Sequence, residues 1–317
     1  MISVVICTYN RAHLLPTVLQ TVCEQALDCA EYEVLVVDNN STDESRLVTE
    51  SFMQRYENLR YCFEPQQGLS YARNRGWQEA RGKYVAYTDD ECKVPPQWLT
   101  VAKEVIVKHS PAVLGGPYFP FYDRAKPPWF RDQYALSLQQ KVSGPLDKSP
   151  RKYLSGGNLF FDKTVLQKVG GFDVNLGQQG KRLGYGEDSG LVNYIRFNMP
   201  EELVYYEPQL FLFHLVRPNK MTMRWLTRSR FVNGRYSYRS HSIYGTKGKK
   251  PPEKRQLVIV GRLAINALKL VVTLVYGVLF RNRSTYPYFH NYWYEHSFTR
   301  LHLLGQLYEQ YQHVTRA

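Results

Sequence analysis

A chain of 317 residues with 44% apolar side chains and no low-complexity tract has room for one large α/β domain with an appendage, or two modest domains, and excludes a disordered or fibrous class. Five cysteines (Cys7, Cys23, Cys29, Cys62, Cys92) without a Cys-x-x-Cys pair argue against structural zinc or a disulfide framework and for a reducing compartment. The net charge of +13 is uneven: residues 1–215 are nearly balanced, whereas 216–285 hold 16 Lys/Arg against the single acid Glu253. Ile2 begins an apolar run with no basic segment before it, so no secretory leader is expected and the chain is expected in the cytoplasm. Ile2–Thr8 is rich in β-branched residues and predicts a strand ending in Thr8-Tyr9-Asn10. Leu14–Gln25 has helical spacing, and Glu33–Val37 is a second strand closed by Asp38-Asn39-Asn40-Ser41-Thr42-Asp43. A helix to about Tyr56, a strand at Leu59–Phe63, a helix from Gly68 to Ala80 and a strand at Tyr84–Thr88 follow.

Short buried strands joined by helices predict a mostly parallel sheet flanked by helices, with ligands beyond the carboxyl ends of the strands. The polar clusters Thr8–Arg11, Asp38–Asp43 and Asp89–Glu91 all fall at such ends. From Pro117 to Pro150 the pattern is loop-rich, with Pro-Pro-Trp-Phe at 127–130. Order returns at Ser155–Phe161, and Gly184-Tyr185-Gly186-Glu187-Asp188 leads into a helix near Ser189–Phe197. Lys247–Lys254 reads as a linker. The expected division is 1–240 (with halves 1–115 and 116–240), a basic linker 241–256, and a helical extension 257–317.

Asp89-Asp90-Glu91 places three carboxylates at a strand end, where alternation lets Asp89 and Glu91 point the same way. Their mutual repulsion is relieved by a cation, and hard oxygen ligands favour Mg²⁺ or Mn²⁺; the plainer reading is a solvated acidic turn. Glu187-Asp188 either caps a helix or supplies a general base. His214, ending the apolar run Leu210–Phe213, is either structural or a metal ligand.

These segments, in this order, resemble the family 2 glycosyltransferases of the GT-A fold, of the bacterial surface-polysaccharide type, over residues 1 to about 240. The resemblance rests on Val4–Arg11, Val36–Asp43, Gly68–Gly76, Tyr87–Glu91, Gly171-Phe172-Asp173 and Gly186-Glu187-Asp188. It implies an α/β Rossmann-like fold that moves a sugar from a nucleotide-sugar donor, UDP-sugars favoured, to a hydroxyl of a glycan or lipid-linked saccharide, with inversion. It also implies a nucleotide-sugar site of Thr8, Tyr9, Asn10, Arg11, Asp38, Asn40, Arg73, Asp89 and Asp90. Asp38 would accept from the imide N–H of the base, and Arg73 would contact the base or phosphates. Asp89, Glu91 and His214 would hold Mn²⁺ or Mg²⁺, with Glu91 standing where the family's DxD motif usually has Asp. Asp188 would be the base, with Glu187 the alternative. Gly156, Gly157, Asn158 and the ring of Trp129 would border the acceptor. Two rivals remain open: a nucleotidyltransferase, which would need a glycine-rich loop that Thr8–His13 lacks, and a membrane-docked scaffold of the same fold without activity.

The basic block 216–285 needs an anionic partner, and no nucleic-acid-binding module accompanies it, so a membrane surface is expected rather than nucleic acid. Within it, Leu257–Phe280 is apolar apart from a stripe of Arg262, Asn266, Lys269, Thr273 and Tyr276. Such a helix can lie in a membrane interface, cross the bilayer, or pack against protein. The expectation is a basic, apolar C-terminal extension at the inner face of the cell membrane.

Overall fold

The computed structural model describes residues 1–137, 139–147, 153–245 and 256–316. They form two compact units. Unit 1 comprises Met1–Phe121, Ala135–Arg182 and Glu187–Leu215; unit 2 comprises Tyr122–Tyr134, Leu183–Gly186 and Val216–Ala317.

Unit 1 begins with β1 (Ile2–Thr8), α1 (Leu15–Cys23), β2 (Tyr32–Asp38), α2 (Ser45–Met53), β3 (Leu59–Phe63), α3 (Leu69–Glu79) and β4 (Tyr84–Asp89). It continues with β5 (Cys92–Lys93), α4 (Trp98–His109), β6 (Val113–Gly115), β7 (Tyr118–Phe121), β8 (Gly144–Pro145), β9 (Asn158–Asp162) and α5 (Lys163–Val169). It closes with α6 (Glu187–Asn198), β10 (Val204–Tyr206) and β11 (Leu212–Leu215). The main sheet has the order β3-β2-β1-β4-β9-β6-β10-β8, and β5-β11-β7 form a small second sheet.

Strands β1 to β4 are parallel, as the alternation of apolar runs and helices predicts, and both faces of β1 and β2 are buried. Beyond β4 the sheet becomes mixed, because β9 runs antiparallel between β4 and β6. Helix α3 lies so close to β1 that a Cβ at Gly76 would stand 2.4 Å from Val5 Cγ1. The register sets Thr8 opposite Asp38 and Cys7 opposite Asp89, so the three polar clusters sit side by side at one carboxyl edge.

Unit 2 carries α7 (Met223–Tyr244), α8 (Gln256–Leu279) and α9 (Phe289–Arg316). Helix α7 starts with Thr222, whose hydroxyl accepts from the Trp225 amide. The expected boundary after residue 240 falls inside α7, and residues 216–244 group with the C-terminal helices because α7 packs along α9. Their contact is backbone to backbone. A Cβ at Gly234 would stand 2.0 Å from the His302 carbonyl oxygen, and one at Gly305 would stand 2.0 Å from that of Phe231. Of the expected linker, residues 246–255 lie outside the described residues.

His302 supplies a pH dependence to this packing. Burial first, and then the charge of Arg230, lower its imidazole to about 4, and Nδ1 has no hydrogen-bond partner among the described residues. The unfolded ring takes up a proton below its ordinary value near 6.5 while the folded ring stays neutral, so stability falls as the pH drops from about 6.5 toward 4. Allowing for partial solvent screening, unfolding at pH 4.5 is expected to be about 1–2 kcal/mol easier than at pH 7 on account of this one group. Urea titrations of the wild type and His302→Leu at both pH values check this: the difference between them narrows in the variant.

Candidate active site

The acidic run after β4 alternates as strand geometry requires. Asp90 turns inward: Arg11 Nη1 lies 2.7 Å from its Oδ1, and Thr8 Oγ1 donates to its Oδ2 at 3.0 Å. Burial pushes the Asp90 carboxyl upward, with Arg11 opposing; burial likewise opposes the charge of Arg11, but Asp90 and Glu91 keep it protonated. Asp89 and Glu91 turn the other way, toward His214 on β11. His214 Nε2 stands 3.4 Å from Asp89 Oδ2 and 3.5 Å from Glu91 Oε1. Its Nδ1 lies 3.2 Å from the Leu215 carbonyl oxygen, which can only accept, so a hydrogen on Nδ1 is satisfied there while Nε2 faces the carboxylates.

The donor atoms that lie within 4.8 Å of one another are those of Asp89, Cys92 and His214, a mixed set that a divalent cation can use; Glu91, expected as a ligand, approaches His214 but stands outside that group. The Cys92 thiol belongs to the same cluster, its Sγ lying within 4.8 Å of ligand atoms of Asp89 and His214. Sequence reasoning missed Cys92, whose signal is its antiparallel register with His214 across β5 and β11. Gly157 leaves room beside the cluster: a Cβ there would be 2.9 Å from Asp89 Oδ2.

Arg73 of α3 joins this cluster to the second carboxylate pair. Its Nη1 donates to Glu187 Oε1 at 2.8 Å, and its Nη2 is 3.9 Å from Asp89 Oδ1. The guanidinium lies over the rings of Tyr87 and Phe172, 5.8 and 5.5 Å from their centroids. Arg73, expected at the base or phosphates, is buried between aromatic faces and acids.

Glu187 and Asp188 open α6 and differ in surroundings. Glu187 is buried, and burial followed by the charge of Asp188 pushes its carboxyl upward against the pull of Arg73. Asp188 is half-buried, and its Oδ1 accepts from the Ser189 amide at 2.5 Å at the positive end of α6. A Cβ at Gly156 would meet Asp188 Oδ2 at 2.1 Å and Arg73 Nη2 at 2.8 Å, so only glycine allows the present positions of both.

Asp38 is buried, with Oδ2 accepting from the Tyr61 hydroxyl at 2.8 Å and Oδ1 from the Ser41 amide at 2.9 Å. Each oxygen keeps a second lone pair. Asn10 and Asn40 adopt left-handed backbone (φ 51° and 63°), which asparagine tolerates. Asn10 also ties two loops together, accepting from the Thr42 amide while its own amide donates to Ser41 Oγ. Tyr9 is half-buried at the end of β1.

Two expected acceptor-side residues have partners of their own. Asn158 is fully buried: Oδ1 accepts from Trp98 Nε1, and Nδ2 donates to the carbonyls of Pro117 and Leu210, so its amide is spent inside the fold. Trp129 belongs to unit 2, where its ring stacks on His290 at 4.7 Å and its carbonyl accepts from Asn291.

Residues 3–170 match the family model described as glycosyl transferase family 2. Among curated proteins, a glucosyl-dolichyl phosphate glucuronosyltransferase of Haloferax volcanii is 27% identical over 243 residues, covering 75% of this chain and 76% of that one. Among solved structures, a mannosyltransferase from Pyrobaculum calidifontis in complex with GDP-Man and Mn²⁺ aligns with a TM-score of 0.64 at 16% identity, over 98% of this chain and 87% of that one. S. aureus TarS 1–349 in complex with UDP aligns with a TM-score of 0.55 at 17% identity, over 98% and 91%. Those two likenesses carry the fold.

Proposed function

Because the chain belongs to glycosyl transferase family 2, and so is an enzyme that uses a nucleotide-sugar donor, we propose that it transfers the sugar to an acceptor hydroxyl with inversion at the anomeric carbon. The observation that carries this reading is the convergence of Asp89, Glu91, His214, Arg73, Glu187 and Asp188 beside the carboxyl ends of β1 and β4. Asp188 is the base: it is the accessible member of its pair and lies beside Gly156, where no side chain blocks an approaching hydroxyl. It takes the acceptor proton as the oxygen attacks the anomeric carbon opposite the leaving diphosphate.

Glu187 is a positioning residue, holding Arg73 so that the guanidinium serves both acid clusters. Asp89 and His214, with Glu91 and Cys92 beside them, would hold a divalent ion, which would neutralise the charge of the leaving diphosphate. Asp38, with lone pairs to spare beside Thr8, favours a uracil donor, and Tyr9 lines the base. The acceptor is a glycan or lipid-linked saccharide, in keeping with the printed activity of the Haloferax relative. The basic balance of 216–285 supports docking on the anionic inner face of the cell membrane.

The test is a donor screen with purified protein in detergent, reading released nucleoside diphosphate and transfer to a polyprenyl-phosphate-linked sugar, with Mn²⁺, Mg²⁺ or chelator. Metal-dependent release with a UDP-sugar is expected; turnover indifferent to chelation and to loss of Asp188 overturns the reading. Gly156→Ala should lower kcat about a hundredfold with the fold intact, because its methyl group must displace the Asp188 carboxylate. Single-turnover rates beside thermal melts check this.

A further inference from the structure

Helix α8 is long and apolar enough to cross a bilayer, and only 6% of its apolar window is buried. Length and composition fit a crossing and an in-plane helix equally well. The packing of unit 2 separates the two. The inward stripe of α8 is fastened to α9. A Cβ at Gly277 would stand 2.3 Å from the ring of Tyr292, and Arg300 Nη1 donates to Thr273 Oγ1 at 3.3 Å. Helix α9 is fastened in turn to α7 by the paired glycine crossing and by Glu309, which accepts from Arg235 at 2.8 Å and from Arg239 at 2.5 Å.

A crossing α8 would carry Arg262, Lys269 and Arg300, and with α9 the Arg235–Arg239–Glu309 cluster, into hydrocarbon, or would have to peel away from α9. An in-plane helix has neither cost. Resting on the membrane association proposed above, we infer that α8 lies parallel to the surface of one leaflet, its outward face in the acyl boundary and α7 and α9 on the aqueous side.

The outward face suits this placement. Leu257, Val260, Leu268, Val271, Val275 and Val278 share it by helical periodicity and are 44–84% exposed. Arg262 and Lys269, seven residues apart, lie on one flank, where long basic side chains reach headgroups. Arg281, Arg283, Tyr286 and Tyr288 follow its end, the residue types that seat at a headgroup boundary. The occupant is an anionic leaflet, since residues 216–285 hold 16 basic side chains against one acid. Residues 246–255 are basic and polar by composition and offer no apolar cover for this face.

The test uses the full chain and phosphatidylcholine vesicles, with or without about a third phosphatidylglycerol. Flotation should bring the protein up with the anionic vesicles, and Leu268→Glu combined with Val271→Glu should lower the bound fraction about tenfold while circular dichroism melts stay unchanged. Depth is read with a fluorophore on Leu257→Cys, Leu268→Cys or Val278→Cys in a Cys29→Ser background, quenched by lipids labelled at headgroup or chain end. Equal, shallow depths at all three positions support the in-plane helix. A deep position 268 between shallow ends overturns it. So does self-association without vesicles that the Glu pair abolishes, or flotation indifferent to that pair. Diphosphate release from soluble donor, measured in parallel, keeps the enzymatic reading separate: it can persist when docking fails, and docking can persist when it is absent.

Discussion

Asp188→Asn is expected to leave the fold and donor binding in place and to lower sugar transfer about a thousandfold, or about 4 kcal/mol of transition-state stabilisation. The amide keeps the shape and can still accept from the Ser189 amide, so α6 is not disturbed. What is lost is the half-buried carboxylate beside Gly156 proposed as the base. Glu187 cannot replace it, being buried and already bound to Arg73 at 2.8 Å. Glu187→Gln should therefore behave differently. Arg73 loses an anionic partner, and the defect spreads to donor affinity as well as turnover, because the same guanidinium faces Asp89. Separating kcat from KM in the two variants checks the assignment: a loss confined to kcat for Asp188→Asn and a mixed loss for Glu187→Gln. Equal, mild effects in both would remove Asp188 from the role of base.

Asp89→Ala is expected to cost about a hundred- to a thousandfold in transfer and to abolish the response to added Mn²⁺. Two consequences add up. One of the two carboxylates facing His214 Nε2 is removed, and Arg73 loses one of the acids that balance it. Chelation of the wild type should reproduce most of the loss without touching the protein, whereas Asp90→Asn should not. Asp90 is held by Arg11 and Thr8, so its replacement weakens a buried pair and is read as lowered stability with metal response retained. Calorimetry with UDP, with and without Mn²⁺, separates these outcomes: Asp89→Ala loses the metal-dependent part of the heat and Asp90→Asn keeps it.

Much of this arrangement was legible from local pattern. The apolar runs of β1 to β4 are continuous because both sheet faces are covered, and their polar ends mark the carboxyl edge. The alternation of Asp89 and Glu91 against Asp90 follows from strand geometry alone. What local pattern does not carry is pairing across distance. Arg11 finds Asp90 79 residues away, and Arg73 finds Glu187 114 residues away, in partnerships set by the fold. The antiparallel entry of β9 leaves no periodic signature, because burial on both faces hides strand direction. Asn158 reads as a polar residue near a pocket, yet three hydrogen bonds absorb it. The grouping of α7 with the C-terminal helices was hidden because the division falls at the end of β11, where no linker composition marks it; the Lys247–Lys254 stretch drew the expected border further along the chain.

The glycine crossing of α7 and α9 removes a degree of freedom that helical pairs ordinarily keep. Where side chains interdigitate, a substitution can widen or narrow the gap; where main chain rests on main chain, the gap is a constant. Inserting a single residue in either helix would rotate Gly234 or Gly305 out from under the opposing carbonyl and substitute a bulkier neighbour. Changes in the length of α7 or α9 are therefore expected to be tolerated in the connections and not within the rods themselves.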